Sequence, residues 1–170
     1  SFFILVPTLP LYLAETFCIG KSMVGIVLSC YVIAVLSVRP LAGFVADTFP
    51  RKSVYLISYA LFVATFLGYF AVTQTLALFI LLRVVHGFSF GMLTTTSNTL
   101  VIDVMPSSRR GEGLGYYGVT NNLAMAFGPM VGLFLHDYFS FNTIFAIAIL
   151  TGTIGLILAS CVRTKQKPPI

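Results

Sequence analysis

The stretch GFVADTFPRKSVYLISYALF, residues 43–62, holds Asp47, Arg51 and Lys52 within a single short segment. This concentration of charge is unusual for the chain, because only 9% of its 170 residues are charged and 58% are apolar. Soluble domains carry roughly 25% charged residues. Long uncharged runs lie on both sides of the stretch. The pattern therefore indicates a short polar turn between two helices that cross a lipid bilayer.

The apolar residues fill windows of about twenty positions, the length that a helix needs to cross the hydrocarbon core. The dyad alternation typical of barrel strands is not found in them. Since lipid offers backbone groups no hydrogen-bond partner, helices are the remaining spanning structure. We expect an all-α membrane protein with six spans, followed by the start of a cytoplasmic linker at residues 163–170. The spans are predicted near residues 1–14, 23–45, 53–73, 76–102, 113–135 and 142–162.

Basic residues in the loops are distributed unevenly between the two sides of the membrane. One side collects Arg51, Lys52, Arg109, Arg110, Arg163, Lys165 and Lys167. The other side has only Lys21. The positive-inside rule predicts that the basic side is cytoplasmic, together with both ends of the chain. This distribution accounts for the net charge of +5 without nucleic acid as a partner.

Metal binding and enzymatic catalysis are not indicated by the sequence. Cys18, Cys30 and Cys161 lack the spacing of a disulfide framework or a metal site. No segment carries the His and Glu pairs that a membrane enzyme would use. We therefore expect a protein that is not an enzyme and that holds no metal.

Arg83 is predicted inside the fourth span, where a charge at the bilayer centre costs about 2.5–3.5 kcal/mol even on the gentler scales. Because residues three or four positions apart share a helix face, its stripe is polar. This stripe consists of Arg83, Gly87, Phe90, Thr94, Ser97 and Asn98. It should face protein or water rather than lipid. Arg83 would either line a cavity or serve as a buried structural residue bonded to carbonyls.

Other polar residues in the spans have equally open interpretations. Asn121 and Asn122 form an amide pair in the fifth span that would either bind a ligand or join helices. Arg39 would reach the interface by snorkelling or pair with Asp47. His86 is predicted to be a packed polar residue.

Small residues in the fourth and fifth spans predict close helix contacts. Gly87 and Gly91 are four positions apart, and so are Gly128 and Gly132. Such spacing lets two helix backbones approach each other. Pro129 removes a backbone hydrogen bond, so a bend in the fifth helix is the second interpretation.

Three motifs together resemble those of the major facilitator superfamily. GFVADTFPRK is similar to its loop signature G-x-x-x-D-[R/K]-x-G-[R/K]-[R/K] at Gly43, Asp47, Arg51 and Lys52, whereas Thr48 and Pro50 replace a base and a glycine. LLRVVHGFSFG is similar to the fourth-helix motif at Arg83 and Gly87. GEGLGYYGVTNNLAMAFGPMVGLF is similar to the antiporter motif G-x8-G-x3-G-P-x2-G-G at Gly115, Gly128, Pro129 and Gly132, with Ala124 as a substitute and Leu133 as a departure.

The resemblance implies the amino-terminal six-helix half, a three-plus-three repeat, of a twelve-helix transporter like the drug:proton antiporters. Its implied activity is efflux of small organic molecules by rocker-switch alternating access, with the proton gradient as energy source and no cofactor. The implied partners are the lipid bilayer, a small-molecule substrate and the carboxy-terminal half. The implied location is a prokaryotic inner membrane.

The resemblance also implies roles for particular residues. A cytoplasmic latch, with an ion pair between Arg51 and Asp103, would comprise Gly43, Asp47, Arg51, Lys52 and Asp103. Helices one, two, four and five would line a central cavity, whose substrate or coupling residues would be Arg83, Thr94, Asn98, Asn121, Asn122, Tyr31 and Glu15. A helix-bend motif would comprise Gly115, Gly128, Pro129 and Gly132.

Two alternatives remain open on the sequence. In the first, which replaces the latch, the charged turn at residues 47–52 serves as a topology anchor alone, without a switching role. In the second, which replaces the half-transporter, the chain is a six-helix channel or a small homodimerising transporter complete in 170 residues.

Overall fold

The computed structural model describes residues 2–71, 75–162 and 164, and in these ranges the chain is helical, with no strand. A short 3₁₀ turn at Ser107–Arg109 joins two of the helices. The six long helices are α1 (Phe2–Phe17), α2 (Lys21–Thr48), α3 (Arg51–Ala71), α4 (Leu76–Val104), α5 (Arg110–Tyr138) and α6 (Phe141–Cys161). The expectation of an all-α fold with six apolar helices is confirmed.

The described helix ends lie close to those predicted for the six spans, but α2, α4 and α5 are longer than their apolar cores. These three helices contain 28, 29 and 29 residues, whereas about 20 suffice to cross the hydrocarbon core. Their additional turns carry Asp47, Asp103 and His136, whose polar groups suit the interface. The predicted end of the third span at residue 73 lies outside the described residues, as does the predicted linker apart from Thr164.

Length and composition make the protein an integral membrane protein. In the described part of the chain, α2 to α6 are each long and apolar enough to cross a bilayer. Helix α1 is a shorter apolar helix of 16 residues.

Helix α2 packs closely along α4 through two glycines. A Cβ atom at Gly87 would lie 2.6 Å from the carbonyl oxygen of Tyr31 and 2.8 Å from the Cβ of Ala34. A Cβ atom at Gly91 would overlap the side chain of Val38. The spacing of these glycines therefore does produce a close backbone contact.

Helix α5 packs on α1 in the corresponding way. A Cβ atom at Gly128 would overlap Phe3, and one at Gly132 would overlap the carbonyl oxygen of Ile4. Helix α5 is continuous through Pro129. The two contacts, α2 with α4 and α5 with α1, are related as a three-plus-three repeat requires, because α1 and α2 are the repeat counterparts of α4 and α5.

An aromatic core fills the space where α1, α3, α4 and α6 meet. Its largest buried members are Tyr12, Phe62, Phe66, Tyr69, Phe79 and Phe145. The outward faces of the helices leave large apolar side chains exposed, such as Phe44 of α2, Ile57 of α3 and Leu158 of α6. The core therefore holds α3 and α6 against α1 and α4.

Candidate functional site

Arg83 lies on the wall of an open cavity of about 450 Å³ that is lined by α1, α2, α4 and α5. We call this space the Arg83 cavity. Only Arg83 and Tyr31 contribute a charge or a hydroxyl to its wall. The remaining lining residues are Phe2, Phe3, Val6, Leu9, Leu28, Val32, Met125 and Pro129. The cavity is therefore apolar and partly aromatic, with one cation and one phenol.

The guanidinium of Arg83 is held by aromatic residues rather than by acids. Its Cζ lies 4.3 Å from the centroid of the Tyr31 ring, a cation–π geometry. Its Nη1 donates a 3.4 Å hydrogen bond to the Tyr69 hydroxyl, and its Nε is buried without a partner. Among the residues that the structure describes, no carboxylate pairs with Arg83, and it donates to no backbone carbonyl. The carbonyl-bonded structural role therefore has no support in the described contacts.

Two residues beside Arg83 were not predicted as site residues. The Tyr69 hydroxyl lies 2.8 Å from Nδ1 of His86, and both side chains are fully buried. His86 is a packed polar residue, in agreement with the sequence interpretation. No local pattern in α3 marks Tyr69, because its contact with Arg83 depends on how α3 packs against α4.

The polar stripe of α4 does not face one common space. The Thr94 hydroxyl bonds to the carbonyl oxygen of Phe90 on its own helix, at 2.9 Å. Ser97 accepts a 2.9 Å hydrogen bond from Tyr117 of α5, beside a second, smaller cavity of about 230 Å³. Asn98 is exposed. Of this stripe, Arg83 alone lines the Arg83 cavity.

The amide pair of α5 also lies apart from Arg83. Asn121 and Asn122 are exposed, and neither lines the Arg83 cavity. Their side chains make no hydrogen bond within the described part of the chain. No other helix within the described part of the bundle therefore covers them.

The charged residues of the predicted latch meet at one end of the bundle. Arg51 Nη1 bonds to both carboxylate oxygens of Asp103, at 2.9 and 2.8 Å, and its Nη2 bonds to Asp47 at 2.9 Å. Lys52 Nζ donates to the carbonyl oxygen of Ser160 at 2.9 Å. These contacts join the ends of α2, α3, α4 and α6. A Cβ atom at Gly43 would have no neighbour within 4 Å.

Arg39 does not form the ion pair with Asp47 that was one of its two predicted possibilities. Asp47 pairs with Arg51, four positions later in the chain, and Arg39 is exposed. The Asp47 carboxylate binds the residue that follows the turn, because α3 begins at Arg51 and the Arg51 guanidinium lies back towards α2.

The opposite end of the bundle carries Glu15. Its carboxylate lies 3.3 Å from Nε2 of His136, which joins α1 to α5. Glu15 does not line the Arg83 cavity. In the helix-bend motif, Gly128 and Gly132 contact α1 and Pro129 lines the cavity, whereas a Cβ atom at Gly115 would meet nothing within 4 Å.

The described residues offer no cluster of three His, Cys, Asp or Glu side chains that would hold a metal ion. The wall of the Arg83 cavity offers groups for two kinds of non-covalent contact. A cation and a phenol contribute polar contacts, and the aromatic wall contributes apolar ones.

Comparison with known proteins identifies the family. The Major Facilitator Superfamily profile matches residues 1–170. The uncharacterized MFS-type transporter Rv1250 of Mycobacterium tuberculosis is 34% identical over 142 residues, which are 84% of this chain and 24% of that protein. The quinolone resistance protein NorA of Staphylococcus aureus (strain MRSA252) is 29% identical over 135 residues, 79% of this chain and 34% of its own length. The chain thus spans a minor part of the length of these relatives. Because the family profile covers it from end to end, this chain belongs to the Major Facilitator Superfamily.

Proposed function

We propose that the chain is the amino-terminal half of a secondary active transporter that exports small organic molecules by rocker-switch alternating access. It would act as a carrier rather than an enzyme. Family membership supports transport, and the similarity to a quinolone resistance protein supports drug-like organic substrates. The observation that carries the proposal is Arg83, a buried cation on a cavity wall without an acidic partner among the described residues.

The lack of an acidic partner gives Arg83 a binding role. A buried charge is costly unless a counter-charge or a set of hydrogen bonds compensates it. The Tyr31 ring and the Tyr69 hydroxyl compensate Arg83 only in part. An anionic group of the substrate, or a carboxylate of the other half of the transporter, would complete its environment.

The dimensions and lining of the Arg83 cavity indicate the substrate class. Small-molecule pockets occupy about 300–1,000 Å³ and are mainly apolar with a few oriented polar groups. The Arg83 cavity has a volume of about 450 Å³ and the same composition. The buried Tyr31 hydroxyl has no partner within the described residues and would add a hydrogen bond. These features favour an amphipathic aromatic molecule with an acidic group.

The exposed face of α5 supports a partner half. Asn121 and Asn122 lie near the middle of a 29-residue helix that crosses the membrane. Burying an amide in hydrocarbon without a hydrogen bond costs several kcal/mol. A second six-helix half, with the substrate path between the halves, would cover this face. A second copy of the chain would cover this face equally well, either in a dimeric transporter or in a channel. The molecular mass of the complete protein in detergent separates a single twelve-helix chain from a dimer.

The latch would belong to the cytoplasmic side. We assign the basic end of the bundle to the cytoplasm of a prokaryotic cell, with both ends of the chain there. The pairs of Arg51 with Asp103 and Asp47 would hold the bundle end closed and break as the halves rock. Labelling of single cysteines introduced at Ser53 and at Ser140, in a variant whose Cys18, Cys30 and Cys161 are replaced by serine, tests this orientation in intact cells, because only the second should react with an impermeant reagent.

Proton coupling would use Glu15 or a carboxylate of the other half. The complete protein, reconstituted in liposomes, should show substrate flux driven by an imposed pH gradient. Flux that is unchanged when the gradient is collapsed would reject proton coupling while leaving transport itself intact.

A growth-protection screen across compound classes tests the function. Cells that express the complete wild-type protein should tolerate at least one class of amphipathic organic compound, and the Arg83→Ala variant should not. Arg39→Ala is the matched control, because Arg39 is an exposed arginine of α2. If the Arg83→Ala variant protects against every compound as well as the wild type, the role assigned to Arg83 is wrong.

A further inference from the structure

Three buried polar side chains form a continuous hydrogen-bond network beside the Arg83 cavity. Arg83 Nη1 is 3.4 Å from the Tyr69 hydroxyl, which is 2.8 Å from Nδ1 of His86. Tyr69 and His86 are completely buried, and Arg83 is 4% exposed. The first member reaches the cavity, whereas the other two lie behind it in the core.

The donors in this network fix the direction of its hydrogen bonds. Arginine donates and never accepts, so the Tyr69 oxygen is the acceptor of the first bond. If the Tyr69 hydroxyl then donates to Nδ1, one group remains unpartnered, the Nε2–H of His86. If Nδ1 donated instead, both the Tyr69 hydrogen and the Nε2 lone pair of His86 would remain unpartnered. Because unpartnered buried polar groups are costly, the first arrangement is preferred, and His86 is neutral with its proton on Nε2.

Aromatic rings enclose this network and limit the movement of its side chains. The His86 ring lies 5.0 Å from the centroid of Phe62 and 5.2 Å from that of Phe66. The Tyr31 ring contacts both the guanidinium, at 4.3 Å, and the imidazole, at 5.4 Å. The guanidinium is thus held between an aromatic ring and a hydroxyl that is itself held by His86.

We infer that Tyr69 and His86 are positioning residues, which orient the Arg83 guanidinium towards the cavity to receive an anionic group of the substrate. This inference rests on the proposed function. An arginine side chain loses considerable rotamer entropy when it is fixed, and a site that is ordered before binding does not lose that entropy again when the ligand arrives. Neither residue touches the substrate in this scheme, so both act through Arg83.

The tautomer of His86 is tested without any ligand. Solid-state ¹⁵N NMR of the complete protein, labelled at histidine and embedded in bilayers, should show His86 as the neutral Nε2–H form with a hydrogen-bonded Nδ1. The His86→Gln variant assigns the His86 signal, which should disappear in that variant and persist in His136→Gln. The Tyr69→Phe variant should shift the Nδ1 signal of His86. An Nδ1–H tautomer, or a signal that Tyr69→Phe leaves in place, would overturn the inference.

Binding of a matched pair of probes tests the positioning role. The probes are 2-naphthoate and its uncharged analogue 2-naphthamide, and the readout is the ratio of their Kd values for the complete protein in detergent. Tyr69→Phe should reduce the preference for naphthoate by about two- to tenfold. His86→Leu should have the same effect, whereas His86→Gln, whose amide oxygen still accepts from Tyr69, should restore the preference. Tyr59→Phe is the control, since it removes a hydroxyl of α3 that is not part of the hydrogen-bond network.

The outcomes separate failure of the inference from failure of the proposed function. If the wild type does not prefer naphthoate, or if Arg83→Gln keeps that preference, the proposed role of Arg83 fails. If Arg83→Gln abolishes the preference and Tyr69→Phe leaves it unchanged, the positioning role alone is wrong. In an Arg83→Gln background, Tyr69→Phe should cause no further loss, because residues that act as a unit are not additive.

Discussion

Arg83 and Arg51 are the same side chain in two contrasting environments. Arg51, at the end of the bundle, is partly exposed and bonds to two carboxylates, of Asp103 and Asp47. Arg83, inside the bundle, is almost completely buried and contacts a Tyr31 ring and a Tyr69 hydroxyl. In the described contacts, carboxylates thus neutralise the partly exposed Arg51, whereas the buried Arg83 has no counter-charge.

This difference indicates which arginine serves stability and which serves recognition. An ion pair near the surface contributes little free energy, although a network of several charges fixes geometry. An unpaired buried charge lowers stability, so a protein that retains one obtains something else from it. Arg51 therefore joins helix ends, and we propose that Arg83 serves a ligand.

The largest expected effect comes from removing the buried charge. Arg83→Gln should lower kcat/KM of transport for an acidic substrate at least tenfold, about 1.4 kcal/mol. Its melting temperature in detergent should not fall, because an uncompensated charge is removed. Flux into liposomes and thermal unfolding measure the two effects, with Arg39→Gln as the control. A variant that transports normally, or that unfolds at a much lower temperature, would contradict the contrast between the two arginines.

A smaller effect is expected when the ring beneath Arg83 is removed. Tyr31→Leu keeps an apolar side chain on the cavity wall but loses the cation–π contact, which is worth about 1 kcal/mol where the pair faces an open cavity. KM for an acidic substrate should rise by roughly fivefold. Tyr31→Phe separates ring from hydroxyl, and it should retain most of the wild-type affinity. Equal losses in both variants would assign the effect to the hydroxyl.

Weakening the latch should affect stability modestly. Asp103→Asn removes the negative charge of the carboxylate whose two oxygens accept from Arg51 Nη1, and it should lower the free energy of unfolding by about 0.5–1 kcal/mol. Thermal unfolding at low and at high salt measures it, and salt should reduce the difference. Glu112→Gln, in the exposed pair with Arg109, is the matched control. A loss as large as that caused by disrupting the core would mean that Asp103 does more than pair with Arg51.

The smallest effect is expected at the more exposed carboxylate. Asp47→Asn breaks an exposed ion pair with Arg51 across the turn between α2 and α3, a kind of pair that is worth about 0.2–1 kcal/mol. The unfolding free energy should therefore change little. Transport is the informative measurement, because a latch residue should alter the distribution between inward- and outward-open states, which accessibility labelling reports. Unchanged labelling would reduce Asp47 to a topology anchor.

Parts of the site were accessible from sequence, each for a definable reason. The family motif paired Arg51 with Asp103, and both are at the end of the bundle. The four-residue spacing of Gly87 and Gly91 predicted a close helix contact, because that spacing places both on one face. Tyr69 was not predicted, since nothing in its own helix distinguishes it from the other tyrosines. The α4 stripe was predicted to face protein or water, but the contact of Ser97 with Tyr117 of α5 depends on helix packing and was not predicted.

The sequence by itself determined the membrane-spanning helices, their approximate ends and the presence of an arginine within one of them. These properties depend on hydropathy and charge along the chain, which a window of about twenty residues contains. Only the tertiary structure decided that Arg83 meets aromatic groups and no described acid, that Tyr69 and His86 lie behind it, and that the α5 amides remain uncovered. These properties depend on the rotation and packing of helices against one another, which are set by side chains distant in sequence.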